Sequence, residues 1–168
     1  TFHTAHGGKL SLVRLLAGEI GDGATFHGAT GQDARAAGLF TLMGQVPQKL
    51  AKAQAGDTVA LGRLEGFATG ETIATAKGPA AQLVSIAKAA GVYGLALSVS
   101  DRKDEVKLTS AIAKLIEEDP SLALDHNHDT HEMVLWGQGE MHLRVAIERL
   151  EGKFGVHAQS RPRRIAYK

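Results

Sequence analysis

Residues 93–124 read YGLALSVSDRKDEVKLTSAIAKLIEEDPSLAL, and the spacing of their apolar side chains changes once within that stretch. The first seven residues alternate between large and small side chains, which predicts a strand with one buried face. After Ser100 or Asp101, either of which suits a helix N-cap, apolar residues recur every three or four positions and predict a helix that ends before Pro120. This helical stripe consists of Leu108, Ala111, Ile112, Leu115 and Ile116.

The residues that follow predict a hairpin, a second helix and a last strand. Two short extended runs flank the polar turn His126–Thr130. A second helical stripe ends near Gly152, and Val156–Ser160 predicts the last strand. This second stripe consists of Leu143, Ala146, Ile147, Leu150 and Phe154. The element order is therefore β-α-β-β-α-β, which predicts an α+β ferredoxin-like sandwich.

The first half of the chain has a different pattern, because 15 of the 20 glycines lie at or before Gly91. Short extended runs separated by glycine turns predict a closed antiparallel β-barrel. These runs are Lys9–Ala17, Ala24–His27, Ala36–Met43 and Asp57–Leu61. Gln48–Gln54 is compatible with a helical turn, although Ala53–Asp57 is more typical of the approach to a chain reversal. The predicted division is a barrel over residues 1–76, a connection over 77–91 and the sandwich over 92–168.

The composition excludes several classes of protein. The chain of 168 residues has no cysteine, which excludes a disulfide scaffold, thiol catalysis and cysteine-ligated zinc. It contains neither the phosphate-loop sequence of nucleotide hydrolases nor the serine-hydrolase motif. No apolar run approaches the length of a membrane span. With 19 basic and 18 acidic residues, the net charge gives no sign of a nucleic-acid partner. We therefore expect no catalytic residues in this chain.

One cluster resembles a metal site in composition. Asp125, His126, His128, Asp129 and His131 lie on and beside the predicted hairpin turn. Imidazole and carboxylate groups suit zinc or nickel. Alternate residues of a hairpin, however, point to opposite faces, and a solvated turn explains the same composition. A metal-dependent enzyme remains an alternative hypothesis, and the favoured prediction is no metal.

The start of the second helix is the other notable feature. Gly137-Gln138-Gly139 follows a strand and opens a helix, as in an anion site, but Glu140 in the first helical turn would repel an anion. A glycine turn needed for a tight crossing is the favoured interpretation. His142 has no evident partner other than Glu140 and is interpreted as a hydrogen-bonded structural residue. Trp136 is expected to be a core residue or an interface anchor.

These residues resemble the elongation factor G family of translational GTPases. Trp136–Leu143 is similar to the Ser-Gly-Met-Gly-Glu-Leu-His-Leu signature of that family's third domain. This chain departs from the pattern at Trp136, at Gln138, where the family commonly has Met, and at Arg144. Further segments that resemble the family are Gly7–Arg14, Ala55–Ala60, Thr69–Thr72, Glu118–Ser121, Phe154–Val156 and Ile165–Lys168.

The resemblance implies a piece of a longer protein, namely domains two and three, without the GTPase domain. It implies a non-catalytic part that binds the ribosome and couples conformations during translocation in the cytoplasm. The expected partners are small-subunit RNA and protein and the GTPase domain of the same parent, with no membrane partner. GTP and magnesium are expected for the parent and no cofactor for this chain. A ribosomal protection factor, a recycling factor or a free-standing RNA-binding module are the alternatives.

The resemblance also implies roles for particular residues. The signature residues Gly137, Gly139, Glu140 and His142 are expected to shape the helix start. Basic residues are candidates for ribosomal RNA contacts, since cations bind phosphates regardless of sequence. These candidates are Lys9, Arg14, Arg161, Arg163 and Arg164.

Overall fold

A computed structural model describes residues 1–3, 8–29, 31–44, 46–77, 82–84, 87–99 and 102–165. The predicted N-cap at Ser100 or Asp101 and the last three residues of the 165–168 motif lie outside the described residues. The chain divides into two compact units, Thr1–Ile86 and Ala87–Lys168. Each unit has its own apolar core. No helix in the described part of the chain is long and apolar enough to cross a membrane.

The described part of the first unit consists of short strands. They are β1 (Phe2–His3), β2 (Lys9–Arg14), β3 (Glu19–Gly21), β4 (Thr25–Gly28), β5 (Asp33–Arg35), β6 (Leu39–Met43), β7 (Val46–Lys49), β8 (Lys52–Gln54), β9 (Thr58–Gly62) and β10 (Ile73–Ala74). They form a five-stranded sheet in the order β1-β2-β9-β6-β7, a three-stranded sheet β10-β4-β5 and the pair β3-β8. Every pairing is antiparallel.

The three sheets share one core instead of joining in a single closed ladder. Ile20 from β3, Phe26 from β4 and Leu39 from β6 belong to the same buried cluster. Glycines with positive φ, such as Gly18 and Gly23, interrupt the strands at either end of β3, and these left-handed turns divide the hydrogen bonding. The prediction of mostly antiparallel, barrel-like packing is confirmed, whereas the described residues form separate sheets and not the closed barrel that we expected.

The sequence pattern missed two strands between residues 46 and 54. β7 pairs with β6 across a tight hairpin, and β8 pairs with β3, more than thirty residues earlier. The helical turn considered for Gln48–Gln54 is therefore wrong. Pairing with distant residues decides this segment, and a local sequence window does not contain that information. The predicted reversal is present as a turn at Ala55 and Gly56.

The second unit has the element order expected from the sequence. Its elements are β11 (Tyr93–Ser98), α1 (Arg102–Glu118), β12 (Ala123–Asn127), β13 (Glu132–Gly137), α2 (Glu140–Phe154) and β14 (Gln159–Pro162). The four strands form one sheet in the order β12-β13-β11-β14, and all neighbours are antiparallel. The last strand starts later than predicted, because Gly155 ends α2 in a left-handed conformation and buried Val156 packs into the core first.

Both predicted helical stripes face the sheet. The buried cluster of this unit contains Leu97, Leu108, Ala111, Ile112, Leu115, Leu122, Met133, Leu135, Leu143, Ala146, Leu150 and Val156. The helices cover one face of the sheet, and Gly94, Ala96, Val134 and Trp136 belong to the opposite face, since neighbours along a strand alternate. That helix-free face carries the C-terminal arginines described below.

Candidate functional site

At the start of α2, the backbone lies very close to neighbouring side chains. A Cβ added at Gly137 would lie 2.7 Å from Leu143 Cδ2 and 2.9 Å from His142 Nδ1, so a larger residue there would displace both side chains. Gly139 differs, because no heavy atom of the described residues lies within 4 Å of a Cβ added there, and its φ of 167° is extended backbone. Gly139 contributes its carbonyl, which accepts a hydrogen bond of 3.1 Å from the Leu143 N–H.

His142 is hydrogen-bonded on both ring nitrogens. The backbone N–H of Gln138 donates to Nδ1 at 3.0 Å, and Nε2 lies 2.9 Å from Asp119 Oδ2. Because a backbone N–H can only donate, Nδ1 accepts and the proton of the neutral ring lies on Nε2, from which it is donated to Asp119. The two bonds fix the tautomer and the ring orientation. This arrangement suits a histidine that connects two segments of the fold and not a general base.

Asp119 was missed as a partner because it lies 23 residues before His142, on the other side of the β12–β13 hairpin. Its Oδ1 accepts hydrogen bonds from the N–H of Ser121 at 3.0 Å and from the Ser121 hydroxyl at 2.5 Å. The signal that could have revealed it is its place in the other motif of this unit, Glu118–Ser121. The fold thus brings the two motifs together.

The charge of Asp119 follows from these contacts. Burial raises the pKa of Asp119, but the hydrogen bonds from Ser121 and His142 outweigh that effect and leave the pKa below its usual value. The carboxylate is therefore ionised at neutral pH and accepts hydrogen bonds in that form.

A second contact ties the same two helices together. Lys153, in the last turn of α2, donates to the carboxylate of Glu118 at the end of α1, whose side chain is 10% exposed against 29% for Lys153. Glu140 lies in the first turn of α2, as expected, where a negative charge is favoured by the helix dipole. Its ion pair with Arg144 is 3.6 Å long and exposed, so it contributes little.

The C-terminal arginines are attached to the helix-free face of the sheet. Glu132 is 5% exposed, and Arg161 Nη2 lies 2.8 Å from its Oε1. The backbone N–H of Arg164 donates to Glu132 Oε2 at 2.9 Å. The Arg163 guanidinium lies 5.1 Å from the centre of the Trp136 ring, in a cation–π contact. The arginines proposed to contact RNA therefore have partners within this unit.

The two basic candidates of the first unit differ in accessibility. The Lys9 side chain is 11% exposed and lies 3.4 Å from Glu65, whereas Arg14 is exposed and donates to Thr58 Oγ1 at 3.1 Å. Of these two cations, Arg14 is the better placed for a phosphate.

The histidine-rich hairpin has a structural explanation. Asn127 Oδ1 accepts hydrogen bonds from the N–H groups of Asp129 and Thr130, an arrangement that stabilises a turn. Within the described ranges, no group of three or more His, Asp or Glu side chains converges as a metal site would require. The hydrogen bonds of Asn127 account for the conformation of the turn.

The chain is similar to known proteins over most of its length. A family model described as "Elongation Factor G, domain III" matches residues 89–162. An "Elongation factor G-like protein" of Synechocystis is 40% identical over 161 residues, and "Elongation factor G" of Pseudothermotoga lettingae is 32% identical over 162 residues. Both alignments cover 96% of this chain and 23% of the relative.

A solved structure is similar to this chain over most of its length. The crystal structure of a protein from Thermus thermophilus superimposes with a TM-score of 0.78 and 30% identity, over 93% of this chain and 24% of that one. The chain therefore spans about a quarter of the length of the proteins that it matches.

Proposed function

Because this chain belongs to the elongation factor G family of translational GTPases, with residues 89–162 matching that family's third domain, we propose that it is the ribosome-binding and conformational-coupling part of such a factor, acting without catalysis of its own. The observation that carries the proposal is the bond between His142 and Asp119, which joins the two motifs of the third-domain-like unit. The first unit would correspond to the translation-factor barrel and the second to the ferredoxin-like domain.

Coupling requires a body that moves as a whole. In the second unit, the end of α1 is tied to the start of α2 through Asp119 and His142 and to the end of α2 through Glu118 and Lys153. Two separated ties oppose both sliding and rotation of one helix against the other. A packed unit of this kind transmits a change of orientation instead of absorbing it.

Ribosome binding would use exposed cations against RNA phosphates, in contacts that position the protein without reading sequence. Arg14 offers the clearest contact, since it is exposed and its hydrogen-bond partner is the neutral hydroxyl of Thr58. Arg161 and Arg164 already share Glu132, so a phosphate would have to compete with a buried carboxylate. Arg163 remains a candidate through the edge of its guanidinium.

The GTPase domain of the same parent is the proposed partner of the first unit. That unit has a mostly apolar cleft of about 640 Å³, with Leu12 and Leu16 more than half exposed at its wall. Exposed apolar side chains around a cleft favour a protein partner over RNA. GTP and magnesium would then be bound by the parent, in the cytoplasm, outside the residues of this chain.

The parent is proposed to act in translocation or to be a paralogue with another ribosomal role. The higher identity to an elongation-factor-G-like protein, 40% against 32% for elongation factor G of Pseudothermotoga, supports a paralogue without specifying whether it protects or recycles ribosomes.

Sedimentation with purified small ribosomal subunits tests the proposal. We expect the chain to associate weakly with the subunits. The association should weaken as the salt concentration rises from about 50 to about 200 mM, because each cation that binds an RNA phosphate displaces about one counterion. Arg14→Ala should weaken association at low salt and flatten its salt dependence, whereas Arg149→Ala on the exposed side of α2 serves as the matched control. Salt-independent behaviour, or tight GTP binding by the 168-residue chain, would contradict the proposal.

A further inference from the structure

The segment that leads into β11, residues 90–92, is attached at three successive residues to the loop of the signature, residues 136–139, which we call the signature loop. The Gln138 side-chain amide donates to the Ala90 carbonyl at 2.9 Å. The Val92 N–H donates to the Gly137 carbonyl at 2.8 Å. Between them, a Cβ added at Gly91 would lie 2.7 Å from Trp136 Cβ, so the backbone lies directly against the tryptophan.

Two of the residues that make these contacts, Trp136 and Gln138, lie at positions where the sequence departs from the signature that it resembles. Trp136 stands where the pattern has a small residue, and Gln138 stands where it has Met. A methionine side chain cannot donate a hydrogen bond to the Ala90 carbonyl. A serine at position 136 would leave Gly94 without the indole that covers it, since a Cβ at Gly94 would meet that ring at 3.0 Å.

We propose that Trp136 and Gln138 are positioning residues that hold the segment 90–92 on the second unit. The direction in which the chain enters the second unit is then fixed by the signature loop, which His142 in turn joins to Asp119. The consequence for interdomain coupling rests on the proposed function, whereas the attachment itself rests on the contacts alone.

Amide hydrogen exchange of the whole chain tests the attachment. Gln138→Met and Gly91→Ala should each speed exchange of the Val92 amide by roughly three- to tenfold relative to the Leu135 amide in the centre of the sheet, as loss of about one hydrogen bond's net contribution implies. Gln48→Met, the same substitution at an exposed residue of β7, should leave that ratio unchanged. An unchanged ratio in both test variants, or equal acceleration of Val92 and Leu135, would overturn the proposal.

The effect on the two units is measured separately by the distance between spin labels. Because the chain has no cysteine, Gln32→Cys and Glu148→Cys give one exposed label in each unit. We expect Gln138→Met to broaden the distance distribution. A distribution of unchanged width, beside faster Val92 exchange, would overturn the fixed direction of chain entry. Neither readout involves ribosomes, so failure of the proposed function would leave these results standing.

Discussion

His142 Nε2 lies 2.9 Å from Asp119 Oδ2, across 23 residues of intervening chain. The contact joins the loop that follows α1 to the first turn of α2. Each of these two segments is fixed on its own side, one by the bonds from Ser121 to Asp119 and the other by the bond from the Gln138 N–H to His142 Nδ1. The signature histidine therefore has a role in stabilising the fold of the unit. We expect it to affect function only indirectly, by keeping that unit rigid.

Replacing the histidine should destabilise the second unit. His142→Ala removes two hydrogen bonds, and we expect the free energy of unfolding to fall by about 1–3 kcal/mol. Urea unfolding followed by far-ultraviolet circular dichroism measures it, since the helices among the described residues lie in this unit. His126→Ala, on the exposed hairpin, should change stability by less than about 0.5 kcal/mol. Equal effects of the two substitutions would contradict the structural role of His142.

Acid should remove the contribution of Asp119. Its pKa is lowered in the folded protein, so the ionised carboxylate stabilises the fold above the unfolded-state pKa of about 3.9, and that stability is lost as the pH falls through the lower folded value. The difference in unfolding free energy between wild type and Asp119→Asn should therefore still be present at about pH 5 and shrink below about pH 4. A difference of the same size at about pH 3 and about pH 7 would refute this assignment.

The two signature glycines should respond differently to the same substitution. Gly137→Ala places a Cβ 2.7 Å from Leu143 Cδ2, and we expect a loss of about 1–3 kcal/mol through overpacking. Gly139→Ala meets open space and an extended backbone, so its cost should stay below about 0.5 kcal/mol. The pair is its own control, measured by the same urea titration. Similar losses in both variants would show that the steric account is wrong.

The buried carboxylate of Glu132 should hold the last strand. Glu132→Gln removes the charge that faces Arg161 and Arg164, and we expect unfolding to become easier by about 1–3 kcal/mol, with faster exchange of the Arg164 amide. Glu148→Gln, an exposed change of the same kind, provides the comparison and should be nearly neutral. An unaltered Arg164 amide would mean that the ion pairs do not secure this segment.

Local periodicity predicted much of the second unit and less of the first. Leu108, Ile112 and Leu115 form a stripe that only a helix on an apolar sheet explains, and they are buried as expected. The β3–β8 pair has no such local signal, because Ile20 and Ala53 are brought together by the fold of the whole unit.

The candidate site shows the same limit. Gly137 and His142 could be singled out from the sequence, and Asp119 lies in a recognisable motif, but the pairing of Asp119 with His142 and the contacts of Glu132 and Ala90 could not be predicted. Their roles depend on contacts between residues that are far apart in the chain.

Because Trp136 makes the cation–π contact with Arg163, its intrinsic fluorescence reports on that contact. The chain has a single tryptophan, and its indole lies beside Gly94 with a guanidinium over the ring. Tryptophan fluorescence therefore arises from one place in the second unit, where the segment before β11 and the segment after β14 both contact the sheet. A shift in emission would register disturbance of that place without any added dye.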